Sequence, residues 1–229
     1  MIATIHQPEY LPWLGFFDRI CKSDIFVVLD DVGYQKNGFI NRNKIKTAKG
    51  GQWITVPVKG RSPNLKINEV FIDNEKKWQE QQLGLLDTNY SKAPHFRDYF
   101  PFFEDAFLKK WDKISDLDFY LIENILKFLD VKVKIAKSSD LKIEGKSAER
   151  LVNILKHFGA GTYLSGPGGK NYMDLSLFKK DGIEVVFQEF SHPKYFQQFA
   201  EKGFLPYMSV VDLLFCCGPD SKNIIKNKI

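Results

Sequence analysis

Runs of apolar residues separated by Pro- and Gly-marked breaks predict an order of elements along the chain. The opening IATI reads as a short strand that runs into HQPEYLPW, where Pro8 and Pro12 stop any regular ladder or helix. A helix over Leu14 to Cys21 follows. The continuous apolar run Ile25 to Leu29, bounded by acidic residues, reads as a buried parallel strand. GYQKNGFINRNKIKT is polar and is expected to be a connecting segment. QWITVPVKG reads as a strand ending in a turn over Gly60 to Pro63, and INEVFID as a shorter strand. The middle of the chain is expected to be helical. Glu75 to Leu86 is polar all round, PHFRDYFPFFEDAFLKKW is rich in aromatics, and Leu117, Tyr120, Leu121, Ile125 and Phe128 recur at helical spacing within Asp116 to Leu129. VKVKIAKSS alternates strictly, as a half-exposed strand near a sheet edge does. A helix over Lys146 to Phe158 ends at Gly159. TYLSG is then a strand, GPGGKNYMD a glycine-rich turn, Leu175 to Lys180 a short helix and IEVVFQEF another buried strand, before a last region of loop and helix.

Strands alternating with helices imply an α/β fold with a mainly parallel sheet, crossover helices and a helical insertion in the middle of the chain. The 229 residues are read as one domain, with a helical subdomain over about 75–130. Composition changes this little: 44% hydrophobic and 27% charged residues are ordinary for a globular chain, and 20 phenylalanines assign much of the core to aromatic packing. No stretch approaches the roughly 20 apolar residues of a membrane helix. MIATIHQPEY lacks the basic and apolar regions of a signal peptide, so the cytoplasm is the expected location. The three cysteines, Cys21, Cys216 and Cys217, stand in no metal-ligand spacing and are expected to be reduced, so no metal site is expected. A net charge of +5 fits nucleic acid, an acidic membrane surface or a phosphorylated small substrate. Without a basic stripe interleaved with aromatics, nucleic acid is not expected as a partner. A homo-oligomer stays open.

Ligands of open α/β folds bind beyond the carboxyl ends of the strands, and several polar clusters fall there. His6 and Gln7 follow the first strand, with Tyr10 and Trp13 close behind. Asp30 and Asp31 follow the second, Ser165 to Lys170 follow TYLSG, and His192 lies just after IEVVFQEF. His6 and Asp31 are the expected proton acceptors. Gln7, Tyr10, Asp30 and His192 are expected to bind substrate, and Trp13 to pack in the core. Asn37, Asn41, Arg42 and Lys44 offer amides and cations suited to a hydroxyl-rich, phosphate-bearing ligand. Ser165, Gly168, Lys170 and Tyr172 belong to a turn whose backbone amides can approach an anion, although the spacing is not that of a phosphate-binding P-loop. Each polar residue also has a plainer reading as a cap or a solvated loop position.

Taken together, IHQPEYLPWLGFFDRI, VVLDDVGYQKNGFINRNKIKT, WITVPV, YLSGPGGKNYMD, HPKYFQQF and SVVDLLF resemble the WbqC-like family from residue 2 to about 218, with a small departure at Gly33. That resemblance implies a place in bacterial O-antigen and other surface-polysaccharide gene clusters, and a step on a nucleotide-linked amino-sugar. The expected reaction is amide formation by an acyl or aminoacyl transferase or ligase, with ATP and Mg²⁺ or an acyl carrier as the source of the activated group. A non-catalytic module that binds a sugar nucleotide or a partner is the alternative. By analogy, the strand, Pro-containing loop and Trp-Leu-Gly helix start are similar to the nucleotide-binding turn of HIGH-type nucleotidyl transferases, but Leu14-Gly15 stands where their second histidine would be.

Overall fold

The computed structural model describes residues 1–60, 64–171 and 173–226. In chain order the strands are β1 (Ile2–His6), β2 (Ile25–Val28), β3 (Arg42–Thr47), β4 (Gly50–Thr55), β5 (Lys134–Lys137), β6 (Thr162–Ser165) and β7 (Glu184–Phe187). The α-helices are α1 (Leu14–Cys21), α2 (Trp78–Tyr90), α3 (Phe96–Leu108), α4 (Ile114–Phe128), α5 (Ser138–Leu141), α6 (Ser147–His157), α7 (Leu175–Lys180), α8 (Val210–Cys217) and α9 (Ser221–Ile225).

Five strands form one parallel sheet in the order β5-β2-β1-β6-β7. The chain moves outward from β1 through β2 to β5, returns to the other side of β1 at β6, and ends the sheet at β7. This is the doubly wound arrangement, and its reversal point is the crevice between β1 and β6. Strand alternation divides the core between the two faces. Ala3, Ile5, Ile25 and Val27 pack with α6 and α7 through Val152, Leu155 and Phe178. Phe26 and Val28 face the other way, against α1, α2–α4 and α8 through residues such as Phe17, Phe103, Leu121 and Leu214.

Differences from the pattern-based expectation fall where polar residues are buried. Arg42–Thr47, expected as a loop, is β3 and pairs antiparallel with β4, so WITVPV joins a separate hairpin rather than the main sheet. The hairpin buries Asn43 and Lys46 by giving them partners. Asn43 Nδ2 donates to the carbonyls of Tyr10 and Leu11 at 3.2 and 2.8 Å, and Lys46 Nζ donates to the Gly203 carbonyl at 2.7 Å. A hydropathy pattern cannot register burial of this kind. INEVFID holds a 3₁₀ turn at Ile67–Glu69 and isolated bridges at Ile72 and Phe71 instead of a strand. α2 begins later than expected and is not a surface helix, because Trp78, Gln82, Leu86 and Tyr90 line a buried i, i+4 stripe. β7 was expected to be buried, but it is an edge strand whose exposure alternates residue by residue. The predicted turn beyond Gly60 lies partly at 61–63, outside the described residues.

Asp212 on α8 ties the C-terminal region to this frame. It is buried and accepts hydrogen bonds from Tyr90 Oη, Tyr195 Oη and Gln197 Nε2, each at 2.8 Å. The Tyr90 hydroxyl in turn accepts from the Lys46 backbone N–H at 2.9 Å. The conspicuous HPKYFQQF and SVVDLLF motifs therefore meet around one carboxyl group.

Candidate functional site

The segment after β1 makes an unusual turn. Leu11 has φ +44°, a left-handed conformation that costs a non-glycine residue energy and persists only when its surroundings enforce it. The constraint comes from Asn43, from a 2.9 Å bond between Tyr10 N–H and the Phe39 carbonyl, and from Val210 N–H to the Pro12 carbonyl at 2.9 Å. Held in this way, the loop places His6 and Glu9 in the crevice between β1 and β6 and starts α1 directly beside it.

Two adjoining hollows occupy the crevice. The first, about 230 Å³, lies against the first turn of α1, Arg19 and the turn Ser165–Gly169, with Trp13 at its side. The second, about 380 Å³, opens toward Gln7, Gln35 and Phe39. His6 and Glu9 line both, together with Ile5 and Tyr163.

The first hollow has the features of an anion site. α1 has no side-chain cap and no acidic residue in its first turn, so the positive end of its dipole is not neutralised locally. The buried Arg19 guanidinium sits one turn along. Its Nη1 lies so close to Gly166 that a Cβ there would stand 2.4 Å from it. Gly166 therefore has no side chain because the cation occupies that space. We expect Gly166→Ala to fold, since the far end of a flexible side chain can shift, but to displace Arg19. Pyrophosphate affinity measured by calorimetry should then fall on the order of tenfold, as for loss of a charge-assisted hydrogen bond. Unchanged affinity would remove Arg19 from the site.

Proton chemistry centres on His6 and Glu9, with Nδ1 and Oε1 3.8 Å apart. His6 Nδ1 lies 2.9 Å from the Gln7 carbonyl. A carbonyl only accepts, so Nδ1 carries the hydrogen and Nε2 keeps its lone pair. Burial, and then the Arg19 charge, push the imidazole down to about 3, so it is neutral at physiological pH. Glu9 moves the other way: burial raises its carboxyl to about 7, against the opposing pull of Arg19. Two groups in one crevice are thus driven apart in proton affinity, the usual arrangement of an acid–base site. Beneath Glu9, Asp118 of α4 is fully buried, and neither carboxyl oxygen has a hydrogen-bond partner among the described residues. Burial, reinforced by Glu9, raises its pKa well above the ordinary range.

The structure places the expected site residues unevenly. His6, Gln7, Ser165 and Gly168 line the crevice. Tyr10 does not: it is buried and donates to Gln82 Oε1, with its ring against Phe107. Asp31 pairs with Arg150 and accepts from Ser138 Oγ at 2.5 Å. Burial pushes the Asp31 carboxyl up, but the bonds from Arg150 and Ser138 outweigh it and hold the group below its ordinary range. It is an ion-paired carboxylate outside the crevice and is not positioned as the base. Asp30 binds the start of α5 through Ser139 N–H at 3.0 Å and Ser139 Oγ at 2.7 Å. Asn41 is satisfied by Val56 and Tyr34 inside the fold. Arg42 directs its fork at the carbonyls of Gly38 and Asn37 and lies over Trp53, as does Lys44. Asn37, Asn41 and Arg42 line only a small surface hollow of about 40 Å³. Lys170 is placed over the Phe187 ring, and Arg19 supplies the cation expected from it. His192 accepts from Tyr207 N–H through Nε2 at 3.1 Å and donates through Nδ1 to Pro193, within an aromatic cluster. Tyr172 lies outside the described residues.

Glu9 and Arg19 are the residues that sequence reasoning did not select. Glu9 lay in view three positions after His6, and Arg19 four after Gly15 on the same helical face. Among the described residues no helix is long and apolar enough to cross a membrane, and no group of three or more His, Cys, Asp or Glu side chains is placed to hold a metal ion.

A doubly wound parallel sheet whose reversal point brings an uncapped helix N-terminus and Arg19 beside His6 and Glu9 defines an α/β protein with a polar crevice between β1 and β6. The model of the WbqC-like protein family matches residues 7–224, and the chain belongs to that family. It is 35% identical over 227 residues to the uncharacterized protein Rv1507c of Mycobacterium tuberculosis (strain ATCC 25618 / H37Rv), covering 98% of this chain and 97% of the relative. No solved structure gives a significant match.

Proposed function

We propose that the chain is an enzyme that forms an amide on a nucleotide-linked amino-sugar, in a cytoplasmic step of bacterial surface-polysaccharide biosynthesis. The pathway is what the resemblance to that family implies. The observation that carries the chemistry is the convergence of Glu9 and His6 on the wall shared by two hollows, one of which is built for an anion. The sugar amine attacks the carbonyl carbon of a phosphate-activated acyl or aminoacyl group. The new C–N bond forms as the C–O bond to phosphate breaks, and the ammonium proton passes to Glu9. Arg19, the α1 N-terminus and the Ser165–Gly169 backbone hold the departing phosphate. His6, neutral and fixed as the Nδ1–H tautomer, presents Nε2 as a hydrogen-bond acceptor toward the amine. No cysteine belongs to either hollow, and burial raises all three thiols, Cys216 beyond the usual range and Cys21 and Cys217 to about 11. This supports direct attack by the amine over a thioester intermediate on the enzyme.

A binding module would use the same walls without needing a titrating group. His6→Ala separates the two readings. For an enzyme, turnover should fall at least tenfold more than sugar-nucleotide affinity does. Parallel loss of binding alone, with no product from the wild type, would favour the module.

A further inference from the structure

We infer that the second hollow is the acceptor subsite: it takes the amine-bearing sugar ring, while the nucleotide end extends over Phe39 onto an outer platform formed by Trp53, Arg42 and Lys44. This rests on the functional reading above and adds to it a division of labour between the two hollows.

The first hollow contains Arg19 and the α1 N-terminus; among the described residues the second is lined by no lysine or arginine, and by no ionisable group besides tyrosine other than His6 and Glu9 on the shared wall. A phosphate in the second hollow would meet a carboxyl group and no cation. An amine would meet a carboxyl group able to draw it in and accept its proton. The rest of that wall is the side-chain amides of Gln7 and Gln35, the Gly38 backbone and the Phe39 ring. Amides with donors and acceptors beside an aromatic face suit a hydroxyl-rich ring.

The same Phe39 leads outward. It is 44% exposed, and its ring lies 5.9 Å from that of Trp53, which is 39% exposed. Arg42 Cζ stands 4.3 Å and Lys44 Nζ 4.9 Å from the Trp53 ring centroid. Large aromatics left open to solvent beside two cations form a surface on which a base can stack and a diphosphate can find positive charge. Arg42 also fixes the Asn37–Gly38 turn through its two carbonyl bonds, which holds Phe39 at the junction between hollow and platform.

The test uses UDP-glucosamine, glucosamine and ATP as calorimetric probes on the full chain. UDP-glucosamine should bind on the order of tenfold more tightly than glucosamine, and ATP should bind with UDP-glucosamine already present. Trp53→Ala should erase most of the advantage of the nucleotide-linked sugar and leave ATP affinity unchanged. Lys44→Gln, which removes no ring, should weaken UDP-glucosamine a few-fold in the same direction and guards against a folding defect in the first variant. Mutual exclusion of ATP and UDP-glucosamine would overturn the division into two subsites while leaving the functional reading standing. Equal effects of Trp53→Ala on both probes would overturn the platform. If neither nucleotide binds, the functional reading and the subsite assignment fall together.

Discussion

Glu9→Gln is expected to reduce turnover by about 10²- to 10⁴-fold, the usual contribution of a positioned general base, while changing sugar-nucleotide affinity far less. The amide keeps the shape of the side chain and loses only the site where a proton can be stored. In the wild type, kcat/KM should rise with pH and level off above about 7, because only ionised Glu9 accepts the amine proton. The residual activity of the variant should lack that inflection. Stability supplies an independent readout. The folded-state pKa of Glu9 is raised from 4.5 to about 7, so between those values the native state binds more protons than the unfolded chain. The wild type therefore loses stability as pH rises through that window, up to about 3 kcal/mol. Glu9→Gln should not show this loss. Denaturant melts at pH 5 and pH 8 read the difference directly, and parallel slopes for the two proteins would contradict the assignment. His6 runs in the opposite sense. Its lowered pKa means that the unfolded chain takes up a proton first, so the wild type loses stability as pH falls below about 6.5, and His6→Asn should not.

Asp212→Ala should destabilise the fold by about 3–5 kcal/mol, because it leaves the Tyr90, Tyr195 and Gln197 donors buried without an acceptor. For a chain of this size that corresponds to a fall in Tm on the order of 10 °C. Asp212→Asn retains an acceptor oxygen and should cost less. The effect on the crevice should be indirect: Tyr195 and Gln197 lie within the segment 190–207, whose Phe190 and Tyr207 pack against Trp13 at the edge of the first hollow. A thermal melt with a shift below 2 °C for Asp212→Ala would show that this carboxyl group does not hold the C-terminal region in place.

The parallel sheet was legible because its central strands obey simple rules. IFVV is continuously apolar and IATI is broken only by Thr4, and α1 spans the predicted Leu14 to Cys21. Of the residues placed at strand ends, His6, Gln7, Ser165 and Gly168 line the crevice. The hairpin was not legible, because Asn43 and Lys46 are buried by hydrogen bonds to backbone carbonyls distant in sequence. For the same reason Asn41 was read as a ligand contact, although its side-chain amide is satisfied by Tyr34 and Val56 inside the fold. Asp31 was misread because its partner Arg150 is 119 residues away. Glu9 was passed over because nothing local marks a carboxyl group as buried. Its raised proton affinity comes from burial, in a loop pinned by Asn43.

The central claim is that this crevice joins an acyl group to an amino-sugar. Incubating the chain with dTDP- and UDP-linked amino-sugars, each with ATP plus amino acids or with acyl donors, and weighing the products by mass spectrometry, tests it most directly. The account predicts that one sugar nucleotide gains the mass of a single acyl or aminoacyl unit with wild type and not with Glu9→Gln. Tight binding of a sugar nucleotide with no mass gain from any donor, or an equal gain with Glu9→Gln, would contradict it.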